Sequence, residues 1–166
     1  MKKLIALAFA TVAFVIFCSN TKKDEFSSEA LSYKMMTSEG TEMTFKEILK
    51  KHKGKTIVIE VWASWCGDCV KNMPKIKELQ ANNPNLAYVF LSVDKTPEAW
   101  KNGIAKHEIK GEHYLISDGM KGSFGKAIEL NWIPRYMIVD KKGKIALFKA
   151  IETDFETINA TIKSTL

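Results

Sequence analysis

Thr56-Ile57-Val58-Ile59-Glu60-Val61-Trp62-Ala63-Ser64-Trp65-Cys66-Gly67-Asp68-Cys69 is the stretch on which the reading of this chain turns. Its first eight residues are almost continuously apolar, as in a central parallel strand covered on both faces. Two cysteines three apart follow, and the pattern over 70–80 is that of an amphipathic helix. The cysteines therefore stand where a strand becomes a helix, with both sulfurs on one side of the first turn and close enough to bond. Unpaired N–H groups and the partial positive charge of the helix N-terminus favour a thiolate on the outer sulfur, Cys66. Cys69, one turn inside, is placed to resolve a mixed disulfide. The pair has the makings of a reversible dithiol.

Outward from this centre, strand and helix alternate. Upstream, residues 31–36 and 41–43 flank Ser38-Glu39-Gly40 as a short β-hairpin, and Thr44 with Glu47 forms a capping box for a helix reaching His52. Downstream, strands are expected over 87–94, 113–117, 135–140 and 144–150, the last two joined by Lys141-Lys142-Gly143. Helices are expected over 96–107, from the glycine-rich loop 119–125 to about Leu130, and over 154–166, with Phe155, Ile158, Ile162 and Leu166 on one stripe. This order gives an α/β chain folded as a three-layer α/β/α sandwich around a mixed sheet.

At 166 residues the chain has room for one domain with one sizeable core. The net charge of +6 comes almost wholly from lysine, since Arg135 is the only arginine. No basic run is interleaved with aromatics, which argues against nucleic acid as a partner. The N-terminus reads separately from the fold. Lys2-Lys3 precede 14 uncharged apolar residues, 4–17, too short to span a bilayer and typical of a signal h-region. Cys18 follows, then Ser19-Asn20, which resembles a bacterial lipoprotein lipidation site, although Phe17 replaces the usual small residue before the cysteine. The expected division is a signal peptide over 1–18 with lipidation at Cys18, a flexible tether over 19–30 and a folded domain over 31–166. Export suits disulfide chemistry.

The strand, Trp65-Cys66-Gly67-Asp68-Cys69, Pro74 five residues later and Ile133-Pro134 before a strand together resemble the thioredoxin superfamily. The resemblance spans about 37–166. The stretch from Asp94 to Pro134 is longer than a plain thioredoxin crossover and holds an extra helix and strand. With the export signal, that βα insertion resembles the membrane-tethered oxidoreductases of the TlpA/ResA type. The resemblance implies a protein-disulfide reductase whose only redox group is the Cys66–Cys69 pair, with no cofactor or metal. It implies extracytoplasmic protein thiols and disulfides as partners, a membrane thiol as electron donor, a monomeric state and a place in the cell envelope. It also makes Pro134 a cis-proline that turns Ile133 toward the dithiol for an extended client, and Trp65 an apolar platform over the disulfide.

Glu60 is the anomaly in the first strand. A carboxyl among Ile57, Val58, Ile59, Val61 and Trp62 is costly unless paired, and burial raises its pKa. It falls where thioredoxins carry a buried acid, so the resemblance implies a proton acceptor for Cys69. Asn72 stands where several TlpA/ResA-type proteins have a second glutamate. Gly67 and Asp68 replace the Gly-Pro of thioredoxins, and the charge of Asp68 opposes a thiolate at Cys66 unless solvent screens it. Arg135 is read either as part of the site rim or as a surface residue. The alternatives to a disulfide reductase are a peroxiredoxin-like peroxidase and a dithiol metallochaperone or binding module. A zinc site would need further ligands from His52, His107 and His113.

Overall fold

The computed structural model describes residues 23–166. The segments read as signal peptide and as lipidation site, including Cys18, lie outside the described residues. Seven strands form one sheet: β1 (Lys34–Thr37), β2 (Glu42–Thr44), β3 (Ile57–Trp62), β4 (Ala87–Ser92), β5 (Glu112–Leu115), β6 (Arg135–Val139) and β7 (Ile145–Ala150), in the order β2-β1-β5-β4-β3-β6-β7. β3, β4 and β5 run parallel, and β1, β6 and β7 pair antiparallel with their neighbours. All six residues of β3 and all five of β6 are buried, as a two-sided central position demands.

Among the described residues six helices cover the sheet: α1 (Ser28–Ser32), α2 (Phe45–Lys51), α3 (Gly67–Asn82), α4 (Pro97–His107), α5 (Ser123–Ala127) and α6 (Phe155–Thr165). The strand order β3, β4, β5 moves steadily toward one edge. Right-handed crossovers then place both connecting helices, α3 and α4, on the same face. Lys77 of α3 pairs with Glu108 just past α4, and α6 joins this layer through Phe155, whose ring packs edge-on to Tyr136 of β6. α1, α2 and α5 cover the opposite face around Phe26, Phe45 and Phe124.

Local chemistry explains the elements. Thr44 and Glu47 form the reciprocal capping box that starts α2, and Thr96 caps α4 with Pro97 in its first turn. The buried residues of α3, Cys69, Asn72, Met73, Ile76 and Leu79, fall on one stripe. Gly103 of α4 lies where a Cβ would come within 2.6 Å of Ser64 Cβ, so the absence of a side chain lets α4 press against the loop before the cysteines.

Three expectations need correction. Chain expected as tether is packed: Ala30 is fully buried, Phe26 nearly so, and the Asp24 carbonyl accepts from Ile145 N, so residues 24–30 belong to the fold. Apolar Phe26 is the reason, since it completes an aromatic cluster with Phe45 and Phe148. The start of the expected first strand is instead helix, because Ser27 caps α1 through Ala30 N. Leu166 is exposed, because α6 ends at Thr165 and leaves it off the stripe.

Candidate active site

The dithiol forms where β3 ends and α3 begins. Cys66 is the N-cap of α3, with extended backbone angles, and its Sγ accepts a hydrogen bond from Cys69 N at 3.1 Å. That donor is one of the orphan N–H groups of the first turn, so the same geometry would stabilise a thiolate on Cys66 in the reduced state. The two cysteines are joined as a disulfide, with Cα atoms 5.2 Å apart. Their exposure differs: Cys66 retains 6 % of its surface and Cys69 none.

The loop carrying the first cysteine is pinned from below. Asp94, buried at the end of β4, accepts from Ser64 N at 3.1 Å on both oxygens, from Ser64 Oγ at 2.7 Å and from Ser92 Oγ at 2.7 Å. Three donors making four hydrogen bonds to one buried carboxylate satisfy its lone pairs and hold Ser64 two residues before Cys66. Nothing in the spacing of Ser64, Ser92 and Asp94 along the chain announces this cluster. Only the parallel pairing of β3 with β4, which sets Trp62 beside Ser92, brings it together.

Across the cleft, the Ile133–Pro134 peptide is cis, and the Ile133 carbonyl lies 3.6 Å from Cys66 Sγ. Trp132 precedes it and is half exposed, its indole N–H donating to Glu152 at 3.3 Å. Trp65, next to Cys66, is 58 % exposed. Two exposed indoles thus adjoin the residues that meet at the sulfur. Trp132 escaped the sequence reading; its place beside the Ile-Pro pair is the signal that could have found it.

Arg135 is neither rim nor surface. It is 2 % exposed, and its guanidinium donates to Asn131 Oδ1 and to the Glu129 carbonyl while Nε has no partner. Burial lowers its pKa. Placement in β6, opposite Val61, forces the side chain inward, where it ties down the loop that delivers Trp132, Ile133 and Pro134.

Glu60 is fully buried in β3, directly opposite Tyr136 of β6. Tyr136 Oη donates to Glu60 Oε1 at 3.3 Å, and Oε2 has no partner. Desolvation pushes the Glu60 carboxyl up to about 8, against a smaller lowering by the Tyr136 hydrogen bond. Burial also raises the Tyr136 phenol, reinforced by the neighbouring carboxyl. Glu60 shares its sheet face with Tyr136, the face covered by α3 and α6. Asn72 is turned to another task, donating to the Asp68 carbonyl at 2.9 Å within α3. Asp68 and Gly67 are exposed on the first turn, which favours screening of the Asp68 charge by solvent.

Among the described residues, no group of three or more His, Cys, Asp or Glu side chains is placed to hold a metal ion. His52 lies 3.2 Å from Glu112, and His113 approaches the Ile109 carbonyl and stacks on Phe90.

Comparison with known proteins agrees with this geometry. The Redoxin family model matches residues 22–159. The thiol-disulfide oxidoreductase ResA of Bacillus cereus is 24% identical over 147 residues, covering 86% of this chain and 81% of the relative. A solution structure assigned as a thiol-disulfide oxidoreductase from Bacteroides vulgatus superimposes with a TM-score of 0.66 at 32% identity, covering 81% of this chain and 87% of that one. A Chlorobium tepidum structure assigned as the thiol:disulfide interchange protein DsbE shares the fold, with a TM-score of 0.69 at 19% identity, covering 87% and 97%. With a Cys66–Cys69 disulfide on a helix N-terminus and a match over most of its length, the chain belongs to the Redoxin family and is a thiol-disulfide oxidoreductase.

Proposed function

We propose that the chain works outside the cytoplasm, held to a membrane by its N-terminal segment, and reduces disulfides in extracytoplasmic proteins without a bound cofactor. The observation that carries the reading is the inequality of the two sulfurs. Cys66 keeps a narrow opening, 6 % of its surface, beside the Ile133 carbonyl, and Cys69 has none.

The Cys66 thiolate attacks one sulfur of a client disulfide. The client S–S bond breaks, a mixed disulfide forms, and the departing client sulfur takes a proton from solvent. The Cys69 thiol then gives its proton to Glu60 in its ionised form, which later returns it to solvent, and attacks Cys66 Sγ. The Cys66–Cys69 bond forms and the second client sulfur leaves as a thiolate, later protonated. The client gains two electrons and two protons, and a membrane dithiol returns the enzyme to its reduced state. A carboxyl near 8 is well matched to a thiol as proton acceptor. The resemblance to the tethered TlpA/ResA type supports the reducing direction. The exposed indoles of Trp65 and Trp132 beside Cys66 and Ile133 offer a surface on which an extended client segment can lie.

Cys69→Ala, expressed in the native envelope, tests this. Cys66 should hold clients as mixed disulfides that dissolve in dithiothreitol, in a membrane fraction. A folded, expressed variant that captures none under disulfide stress overturns the reductase reading.

A further inference from the structure

The end of the sheet remote from the dithiol carries a second feature. A cleft of about 250 Å³ opens between α2 and the β6–β7 turn, floored by Leu49, Ile57 and Val139. Six lysines line it: Lys46, Lys50, Lys53, Lys55, Lys141 and Lys142. All six are exposed, and none pairs with an Asp or Glu side chain among the described residues; Lys141 Nζ donates to the Leu166 oxygen. The two nearby acids are otherwise engaged. Asp140 accepts from the backbone N–H groups of Lys142 and Lys144, and Glu47 accepts from Thr44 in the capping box. The pole is therefore strongly cationic around an apolar floor.

The start of the described chain lies beside it. The Asp24 carbonyl accepts from Ile145 N, and Lys144 pairs with Asp24 and Glu25, three residues beyond the cleft-lining Lys141. If a lipid on Cys18 holds the chain at a bilayer, only the four residues 19–22 separate it from Lys23. Fully extended, they span at most about 14 Å. β3 starts at Ile57 on this pole and ends at Trp62 beside the dithiol, a run of roughly 20 Å. A membrane reached by so short a connection faces the lysine pole, with the dithiol pointing away.

We infer that this pole docks on an anionic bilayer leaflet, its lysines among acidic headgroups, so that Cys66 is presented outward to clients. The inference rests on the tethering proposed above and adds an orientation to it. Lysines near an anionic surface each favour binding by roughly fivefold, and the attraction fades within a Debye length.

Full-length protein is mixed with vesicles of phosphatidylcholine alone, or of phosphatidylcholine with phosphatidylglycerol, then treated with an amine-reactive label and mapped by mass. On anionic vesicles Lys46, Lys50, Lys141 and Lys142 should label several-fold more slowly than on neutral ones. Lys77 and Lys101, on α3 and α4, should not change. High salt should abolish the protection. Replacing those four pole lysines by Gln should cut the preference for anionic vesicles by about a hundredfold or more, leaving insulin reduction intact. Binding to both vesicle types with equal labelling overturns the docking and leaves the tether standing. Binding to neither overturns both, and binding to anionic vesicles alone with the pole protected supports the docking against the tether.

Discussion

Tyr136 Oη donates to Glu60 Oε1 at 3.3 Å from directly across the β3–β6 ladder, and the other oxygen of Glu60 meets no donor. One hydrogen bond on a fully buried carboxyl does not repay the loss of water, so the group holds its proton to about pH 8. The fold thus keeps, in the sheet layer under the active-site helix, an acid whose affinity for a proton resembles that of a thiol.

Glu60→Gln should change two things together. The carboxyl titrates near 4.5 in an unfolded chain and near 8 in the fold. The folded state therefore binds the extra proton between those values, and wild-type stability falls as pH rises from about 4.5 to about 8, then levels. The loss is of the order of several kcal/mol. The variant should show no such slope in denaturant titrations from pH 5 to 9. Resolution of a mixed disulfide at Cys69 should slow by about a hundredfold at pH 7 and lose its dependence on a group near 8. Unchanged resolution kinetics would remove Glu60 from the mechanism.

Tyr136→Phe removes the one donor that favours the charged form of Glu60. The pH at which resolution accelerates should move upward, and stability at neutral pH should fall by about 1 kcal/mol. A shift toward lower pH would contradict the assignment of that hydrogen bond.

Asp94→Ala strips the acceptor from Ser64 N, Ser64 Oγ and Ser92 Oγ at once. Three donors, one fully buried and two part-buried, left without their partner should cost about 3 kcal/mol in thermal or denaturant unfolding. Attack by Cys66 on a small disulfide should slow as well, because the preceding loop loses its anchor. A loss below 1 kcal/mol would show that water replaces the carboxylate freely.

Trp132→Ala deletes an exposed indole beside Ile133 without touching the core. Its effect should appear as a several-fold rise in KM for protein disulfides, with the reaction of Cys66 toward dithiothreitol unchanged. Equal loss with both substrates would mean that the indole supports the Ile133–Pro134 loop rather than the client.

Much was legible from sequence because its causes are local. The apolar run before Cys66, the 3.6-residue periodicity of α3, the Thr44–Glu47 capping box and the Lys141-Lys142-Gly143 turn each act over a few neighbouring residues. They announced the alternation of strands and helices and set both cysteines at a helix start. The odd carboxyl in β3 was visible for the same reason, since one acid among five apolar neighbours stands out. What escaped was whatever depends on residues distant in the chain. The inward course of Arg135, the Ser64–Ser92–Asp94 cluster, the Tyr136 donor and the lysine pole all arise from strand order and register, which join segments 30 to 100 residues apart. Phe26 shows the same limit, since a residue in a polar, serine-rich stretch becomes core only because Phe45 and Phe148 meet it there. The sequence by itself determined the dithiol and the elements that carry it, through short-range sterics and hydrophobic period. Only the tertiary structure decided what pins the loop before Cys66, what faces the buried acid and where the cations gather, because burial and dielectric belong to the packed whole.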